Sequence, residues 1–450
     1  MKPNIVLIVA DDLGWRDLNC YGNKLVETPV LDKLASNGIR FTNAYSSCTV
    51  CSPTRAALMT GKNPVSVNIT KVLPREDEVA EERKKEKQRP LLEPENNKYL
   101  ELDEITIAEQ MKKAGYITAS IGKWHLGGEG HMPENQGFDV SKAGGDLGLP
   151  PSYYYPYTSD KPYKIPNLEV GTDSLYLTDR LTKEAVQFIS GNHDKPFFLY
   201  LPYYSIHTPW EGRDDLVKKY EEKIKNNPDS IVRYAHYMAM IECLDQNVGK
   251  VLEALDNHGL NKNTLVIFTS DNGGLVSRTG NNIWGAHNYP LRGGKSNCYE
   301  GGIRVPAMIA WDGKIEGGQV SDEIIISSDF YPTICEITGV EIPKDLEGVS
   351  LTPFLLNGQP VKRETLFWHY PHYTKTKPVS VMRDGDFKLL KYYEDNRLEL
   401  YNLKEDIGET NDLSIQMPEK TKELHEKLNL WLKNNDARLP LPNPEYKKNK

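Results

Sequence analysis

A chain of 450 residues with 38% hydrophobic and 26% charged residues has the make-up of an ordinary globular protein, large enough for a main core and a smaller second unit. Its formal charge of -8 offers no basic face to nucleic acid, and no apolar run is long enough to span a bilayer. Six cysteines, at 20, 48, 51, 243, 298 and 335, are too sparse for a disulfide framework.

Met1-Lys2-Pro3 leads straight into NIVLIVA, which is too short for the apolar region of a secretory signal. Two compartments are therefore expected: inside the cell, or periplasmic or secreted if a signal has been removed. NIVLIVA itself, residues 4–10, is a continuous β-branched run, expected as a strand covered on both faces and ending at Asp11-Asp12. PVLDKLASNG predicts a helix over 29–37 stopped by Gly38. LDEITIAEQMKKAGY predicts an amphipathic helix capped near Asp103, feeding a strand in YITASIGKWH that ends near Gly122-Lys123. SLYLTDRLTKEAVQFISG predicts a helix closed by Gly191, and PFFLYLPYYSIH an apolar strand ending at His207. The long helical pattern SIVRYAHYMAMIECLDQNVGKVLEALDNHG leads into TLVIFTSDNGG, a strand ending at Asp271-Asn272. VPAMIAW reads as one more strand.

This alternation predicts an α/β fold over 1–360, a large mostly parallel or mixed sheet flanked by helices. From about residue 360 the pattern changes. Apolar and polar residues alternate around an Asp384-Gly385 hairpin signal, and a helix follows over 417–434. A smaller C-terminal α+β subdomain built on an antiparallel sheet is expected over 361–450, with a loose tail. The charged stretch 74–98 reads as a solvated insertion or exposed helix, or more sharply as a flap over a site. The Tyr- and Pro-rich stretch 150–166 is a surface loop or a substrate wall.

Ligands of open parallel sheets bind outside the carboxyl ends of the strands. Four predicted strands end in chemically loaded residues. Asp11, Asp12, Asp271 and Asn272 are hard oxygen donors, and three carboxylates brought together call for a cation, Ca²⁺ or else Mg²⁺. Zinc fits less well, because no Cys or His cluster has ligand spacing. Arg55, Lys123, His125, His207 and Lys295 form a cationic set that suits a small tetrahedral anion such as a sulfate or phosphate ester. Lys123 and His125, two apart in an extended segment, are expected on one side of it. Lys295 lies in PLRGGKSNCYEGGIRVP, where glycine permits close backbone approach.

Cys48 and Cys51 form a CxxC pair. A redox pair would need a thioredoxin-like layout, and a zinc knuckle a second ligand pair; neither is evident. Pro53 breaks the chain after Cys51, and a helix starting near Thr54 would set residue 51 at its positive N-terminus, favourable for an anionic nucleophile and an anionic substrate.

CSPTRAALMTG resembles the first sulfatase signature and GYITASIGKWHLG the second. NIVLIVADDLG, TSDNGG and GGKSNCYEGGIRVP look like the family's other blocks, in its order, from residue 4 to about 412. The chain thus resembles the type I, formylglycine-dependent sulfatases, arylsulfatase-like members of the alkaline-phosphatase-like superfamily. That resemblance implies conversion of Cys51 to formylglycine by a formylglycine-generating or sulfatase-maturing enzyme. The hydrated aldehyde would attack sulfur with one hydroxyl and expel sulfate with the other. Asp11, Asp12, Asp271, Asn272 and modified Cys51 would hold the metal. Arg55 would orient the hydroxyls, and Lys123 and Lys295 would bind sulfate oxygens. His125 would take a proton during elimination, and His207 would protonate the leaving oxygen.

Two positions depart from the family pattern: Ser296, often Gly, and Arg16, often small. Arg16 would either reach the substrate pocket or lie on the surface. FWHYPHY, residues 367–373, resembles the sugar-facing loop of carbohydrate sulfatases, with His369 and His372 as candidates for sugar hydroxyls. Trp210 and Arg292 complete the substrate-binding candidates. The expected substrate is a sulfated saccharide, cleaved by exo action at a terminal sulfated galactose or N-acetylgalactosamine. A phosphomonoesterase or phosphodiesterase of the same superfamily is the alternative, and a degenerate, non-catalytic anion-binding protein a remoter one.

Overall fold

The structure, a computed structural model, describes residues 2–75, 78, 88–160, 163–168, 174–227, 234–279, 282–363 and 365–446. Strand β1 (Asn4–Ala10) is buried along its whole length. It lies inside an eight-stranded sheet with β2 (Ile39–Phe41), β3 (Ile117–Ile121), β4 (Val140–Lys142), β5 (Phe197–Pro202), β6 (Thr264–Ser270), β7 (Ala307–Ala310) and β8 (Gln319–Ser321). The spatial order is β8-β2-β7-β6-β1-β5-β3-β4. Only β7 runs against its neighbours, pairing antiparallel with β2 and β6. The sheet is therefore mixed but mostly parallel.

Alternate residues of β1 feed two cores. Val6 and Ile8 pack with α1 (Pro29–Ser36), α4 (Leu177–Gly191), α5 (Asp214–Asn226) and α6 (Ala235–Asn257). Ile5, Leu7 and Val9 face α2 (Cys51–Thr60), α3 (Ile107–Lys113) and α7 (Phe330–Thr338). Helices on both faces explain why the strands read as unbroken apolar runs rather than alternating ones.

Some local expectations change. Helix α3 is capped by Thr106 in a capping box with Glu109, not by Asp103. Gly38 does not end α1 by adopting a left-handed turn. A Cβ there would lie 2.2 Å from the Ile309 carbonyl oxygen, so glycine is needed for close approach to β7. Strand β5 stops at Pro202, leaving His207 on the following loop. Residues 230–233 of the expected long helix and residues 76–77 and 79–87 of the charged stretch lie outside the described residues, as do 161–162 of the Tyr- and Pro-rich stretch. Leu441–Pro442 pairs with Leu91–Leu92, so that part of the tail is held in place. No helix among the described residues is long and apolar enough to cross a membrane.

The C-terminal part is an antiparallel meander of β9 (Thr365–Tyr370), β10 (Val379–Asp384), β11 (Phe387–Tyr392) and β12 (Leu398–Asn402). One face packs Met382, Leu389 and Leu400 against α8 (Pro418–Asn434). The other packs Trp368, Val381 and Tyr392 on Tyr45, Cys48 and Val50, the segment leading into Cys51. The Trp368 indole N–H donates to the Ser46 carbonyl at 2.9 Å. The second sheet thus backs the loop that presents residue 51.

Between α6 and the start of α1, buried Asp245 accepts the Leu31 and Val30 N–H groups at 2.7 and 3.2 Å. Burial pushes its carboxyl up to about 7 against the pull of those N–H groups. The folded chain therefore keeps a proton that the unfolded chain loses near pH ~4. That contribution to stability is complete below pH ~4 and is lost as pH rises toward the folded value. Asp245→Asn should flatten the fall in unfolding free energy, measured by urea titration between about pH 4 and pH 7, by up to about 1.4 kcal/mol per pH unit. An unchanged pH slope in the variant would contradict the assignment.

Candidate active site

Parallel register builds the acidic half of the site. Ala10 pairs with Ser270 across β1 and β6, so Asp11-Asp12 and Asp271-Asn272 leave the sheet side by side. Asp12 has a φ of 63°, a left-handed conformation that is costly for a residue with a Cβ. Asp17 steadies this turn, accepting the Gly14 and His287 N–H groups and the Tyr237 hydroxyl, and Tyr237 also donates to the Asp12 carbonyl at 3.2 Å. No local motif marks Asp17, because its partners lie far apart in sequence.

Residue 51 enters from the other core. Cys51 is the first residue of α2, so the helix begins at residue 51 and not near Thr54. Pro53 does not break it, because a first-turn residue needs no intrahelical N–H partner. Arg55 follows one turn later and is fully buried. Its Nε and Nη2 donate to Asp271 Oδ2 at 2.9 and 2.7 Å, and Nη1 donates to the Lys123 carbonyl at 2.8 Å. Arg55 thus clamps α2 to the ends of β6 and β3. Cys48 and Cys51 are free thiols, and burial pushes Cys48 up to about 12. The CxxC pair is not a disulfide.

Lys123 and His125 both reach the site, but not by simple alternation, because His125 has a φ of 58°. Lys123 Nζ donates to Asp11 Oδ2 at 2.6 Å. His125 Nδ1 lies 3.3 Å from Cys51 Sγ, while Nε2 lies 3.0 Å from the Leu73 carbonyl. A carbonyl only accepts, so Nε2 carries the proton and Nδ1 turns its lone pair to residue 51. Burial, and then the charge of Lys123, hold the His125 imidazole well below its usual range and hence neutral. The carbonyl that fixes its tautomer leaves no trace in a motif.

Opposite stand Lys295 and His207. Lys295 Nζ is 2.8 Å from Asp12 Oδ1 and 2.9 Å from His207 Nε2. His207 Nδ1 faces the Thr208 carbonyl at 2.9 Å, so Nε2 is the acceptor of the lysine proton. Burial, then Lys295, keep this histidine neutral in the absence of substrate. The glycine-rich loop permits the approach: a Cβ on Gly273 would lie 2.0 Å from the Gly301 carbonyl oxygen. Ser296 has a φ of 70°, which explains why glycine suits that position.

The donor set fits a hard cation. Asp11 Oδ1 and Asn272 Oδ1 are buried and have no hydrogen-bond partner among the described residues. Burial, then the charge of Asp271, raise the Asp11 carboxyl well above its usual range, the repulsion that a cation relieves. Burial also works against ionised Asp12, but Lys295 beside it holds that carboxyl low. Among the described residues, one group of three acidic or imidazole ligands lies within 4.8 Å of one another: Asp11, Asp12 and His207. Asp271 is not in that group; its Oδ2 is engaged by Arg55, and its Oδ1 faces the Asp12 N–H at 3.3 Å. Asn272 Nδ2 donates to Asp12 Oδ1 at 2.8 Å, which leaves its oxygen for a metal.

The substrate candidates divide. Arg292 walls a cavity of about 640 Å³ that opens beside Lys295. A second cavity, of about 780 Å³, is walled by His125. Trp210 donates to the Ile206 carbonyl and packs its ring on Tyr234 and Tyr237, supporting the His207 loop from behind. The expected sugar-facing loop at 367–373 begins instead as strand β9. Its side chains alternate between two packed faces, and Phe367 stacks on Trp431 with centroids 4.7 Å apart. His369 is buried between Ser380 and the Arg438 carbonyl, and His372 between Thr70 and Glu93, so neither histidine is brought to the site. Arg16 lies over the ring of Tyr289, a residue of the wall of the cavity beside Lys295.

Comparison with known proteins agrees with this arrangement. A family model described as Sulfatase matches residues 3–340, and one described as N-sulphoglucosamine sulphohydrolase, C-terminal, matches residues 294–437. A protein named Sulfatase from Formosa agariphila is 34% identical over 97% of this chain and 90% of its own length. N-acetylgalactosamine-6-sulfatase of Mus musculus is 34% identical over 81% of this chain and 68% of its own. Among solved structures, Ps i-CgsB in complex with k-i-k-neocarrahexaose aligns with a TM-score of 0.80 at 28% identity, covering 100% of this chain and 96% of the other.

Proposed function

The chain belongs to the sulfatase family and is a sulfuric ester hydrolase, and from that premise we propose that it is a carbohydrate sulfatase using formylglycine made from Cys51 and one bound Ca²⁺. The substrate is proposed to be a terminal sulfated galactose or N-acetylgalactosamine, cleaved by exo action. The likeness to N-acetylgalactosamine-6-sulfatase and to the neocarrahexaose-bound Ps i-CgsB supports a saccharide of this kind. The observation that carries the reading is the pair of neutral histidines, one 3.3 Å from residue 51 and one sharing a proton with Lys295, on either side of the buried acidic cluster.

Hydrated formylglycine would supply two hydroxyls on one carbon, and Asp11, Asp12, Asp271, Asn272 and modified residue 51 would hold Ca²⁺, which would supply charge to polarise a sulfate oxygen. The protein groups do the rest. Lys123 and Lys295 present ammonium groups to sulfate oxygens. Arg55, locked to Asp271, keeps the start of α2 in place. His125 Nδ1 accepts a proton from residue 51. Burial works against the Lys295 ammonium, but Asp12 beside it raises it, so Lys295 keeps its proton and turns its N–H from His207 Nε2 to a sulfate oxygen when the ester binds; Nε2 then takes up a proton from water and delivers it to the departing sugar oxygen. The phosphatase alternative calls for a second acidic cluster, and only one is found among the described residues.

A screen of sulfated monosaccharides and disaccharides, with protein from a host containing the maturation enzyme, tests this reading. Sulfate release is expected, fastest from galactose or N-acetylgalactosamine esters. Preference for another sugar would overturn the sugar assignment. Turnover of phosphate esters by protein with intact Cys51 would overturn the nucleophile.

A further inference from the structure

The cavity beside Lys295 has an unbalanced charge inventory. It lies between the glycine-rich loop around Arg292–Lys295 and two C-terminal segments, at Lys375 and at 408–410. Lys295 itself is committed to Asp12 and His207. Among the described residues of the wall one is acidic, Glu409, and it turns its carboxylate inward to Lys388 at 2.8 Å and to the Glu300 N–H at 2.7 Å. Arg292 and Lys375 remain, and among the described residues neither has a carboxylate within ion-pair distance.

Arg292 is held ready for a ligand. Its guanidinium lies over the Tyr299 ring at 3.8 Å, and Nη1 donates to the Tyr401 hydroxyl at 3.0 Å and the Glu409 carbonyl at 2.9 Å. Those contacts use one edge of the plane. Nε and Nη2 have no partner among the described residues, and that fork matches the two oxygens of a sulfate or carboxylate. Lys375 makes a single long bond to the Val276 carbonyl at 3.3 Å. Partial burial, and the like charge of Lys295, hold its ammonium below the usual range, with Asp12 pulling the other way. Two cations at a cavity, with no carboxylate at ion-pair distance among the described residues, gain when an anion enters.

We infer that Arg292 and Lys375 receive a second anionic group, a sulfate or a carboxylate, carried by the same saccharide whose ester is cleaved beside Lys295. The inference rests on the carbohydrate reading above and narrows it to multiply charged saccharides. Lys375 is then a specificity residue supplied by the C-terminal sheet, which also accounts for that sheet reaching the site.

The test compares kcat/KM of the matured full chain on saccharides that share the cleaved sulfate and carry, nearby, no second anion, a second sulfate or a carboxylate. The wild type should prefer a doubly charged substrate by about tenfold or more, and added salt should erode the preference. Lys375→Met should remove most of it through KM, and Lys375→Arg should retain it. The two anionic arms decide between sulfate and carboxylate. Equal turnover of singly and doubly charged substrates, or an equal loss on both in Lys375→Met, would overturn this inference while leaving the sulfatase assignment standing. No release from any saccharide, with aryl sulfate still cleaved, would overturn the carbohydrate reading and this inference with it.

Discussion

Cys51→Ala should lower sulfate release by about 10⁴-fold or more, because it removes the nucleophile on which the other groups converge. Every other member of the constellation would remain in place. Arg55 would still bind Asp271 and the Lys123 carbonyl, and Lys295 would still bridge Asp12 and His207. The side chain lost is small and 2% exposed at the first turn of α2, so its removal should cost little stability, about 1 kcal/mol. Thermal unfolding near the wild-type temperature with activity gone is the expected pair of results. Residual activity within about tenfold of wild type would show that residue 51 is not the nucleophile.

His207→Ala should separate substrates by leaving group. A sugar alkoxide is a poor leaving group and needs the proton that His207 delivers from Nε2, so natural esters should lose about 10³-fold in kcat. An aryl sulfate departs as a stabilised phenolate and should lose far less, on the order of tenfold. The structure adds a condition. Because His207 Nδ1 is tied to the Thr208 carbonyl and Nε2 accepts from Lys295, the histidine is neutral before substrate binds. Equal losses on sugar and aryl esters in His207→Ala would refute the acid assignment.

The parallel sheet and its loaded strand ends were readable in the sequence for a physical reason. Strands covered on both faces are unbroken apolar runs, and the first polar residues after them must lie at one edge of the sheet. Asp11-Asp12 and Asp271-Asn272 follow from that rule and from the parallel register of β1 and β6. What escaped was set by long-range pairing or by backbone conformation. The left-handed turns at Asp12 and His125 have no local signature. Pro53 looks like a breaker but sits in the first turn of α2, where its missing N–H is harmless. FWHYPHY has the composition of a binding loop, yet β9 uses its aromatic residues to pack the second sheet against the Cys51 segment and against α8. Lys375, in a plain run of threonine and lysine, gains meaning only from the cavity it borders.

Mass spectrometry of the peptide carrying residue 51, paired with specific activity across preparations matured to different extents, tests the central claim most directly. The aldehyde fraction should rise in proportion to sulfate release, with no activity at zero conversion. Full activity in a preparation whose residue 51 is entirely thiol would contradict it.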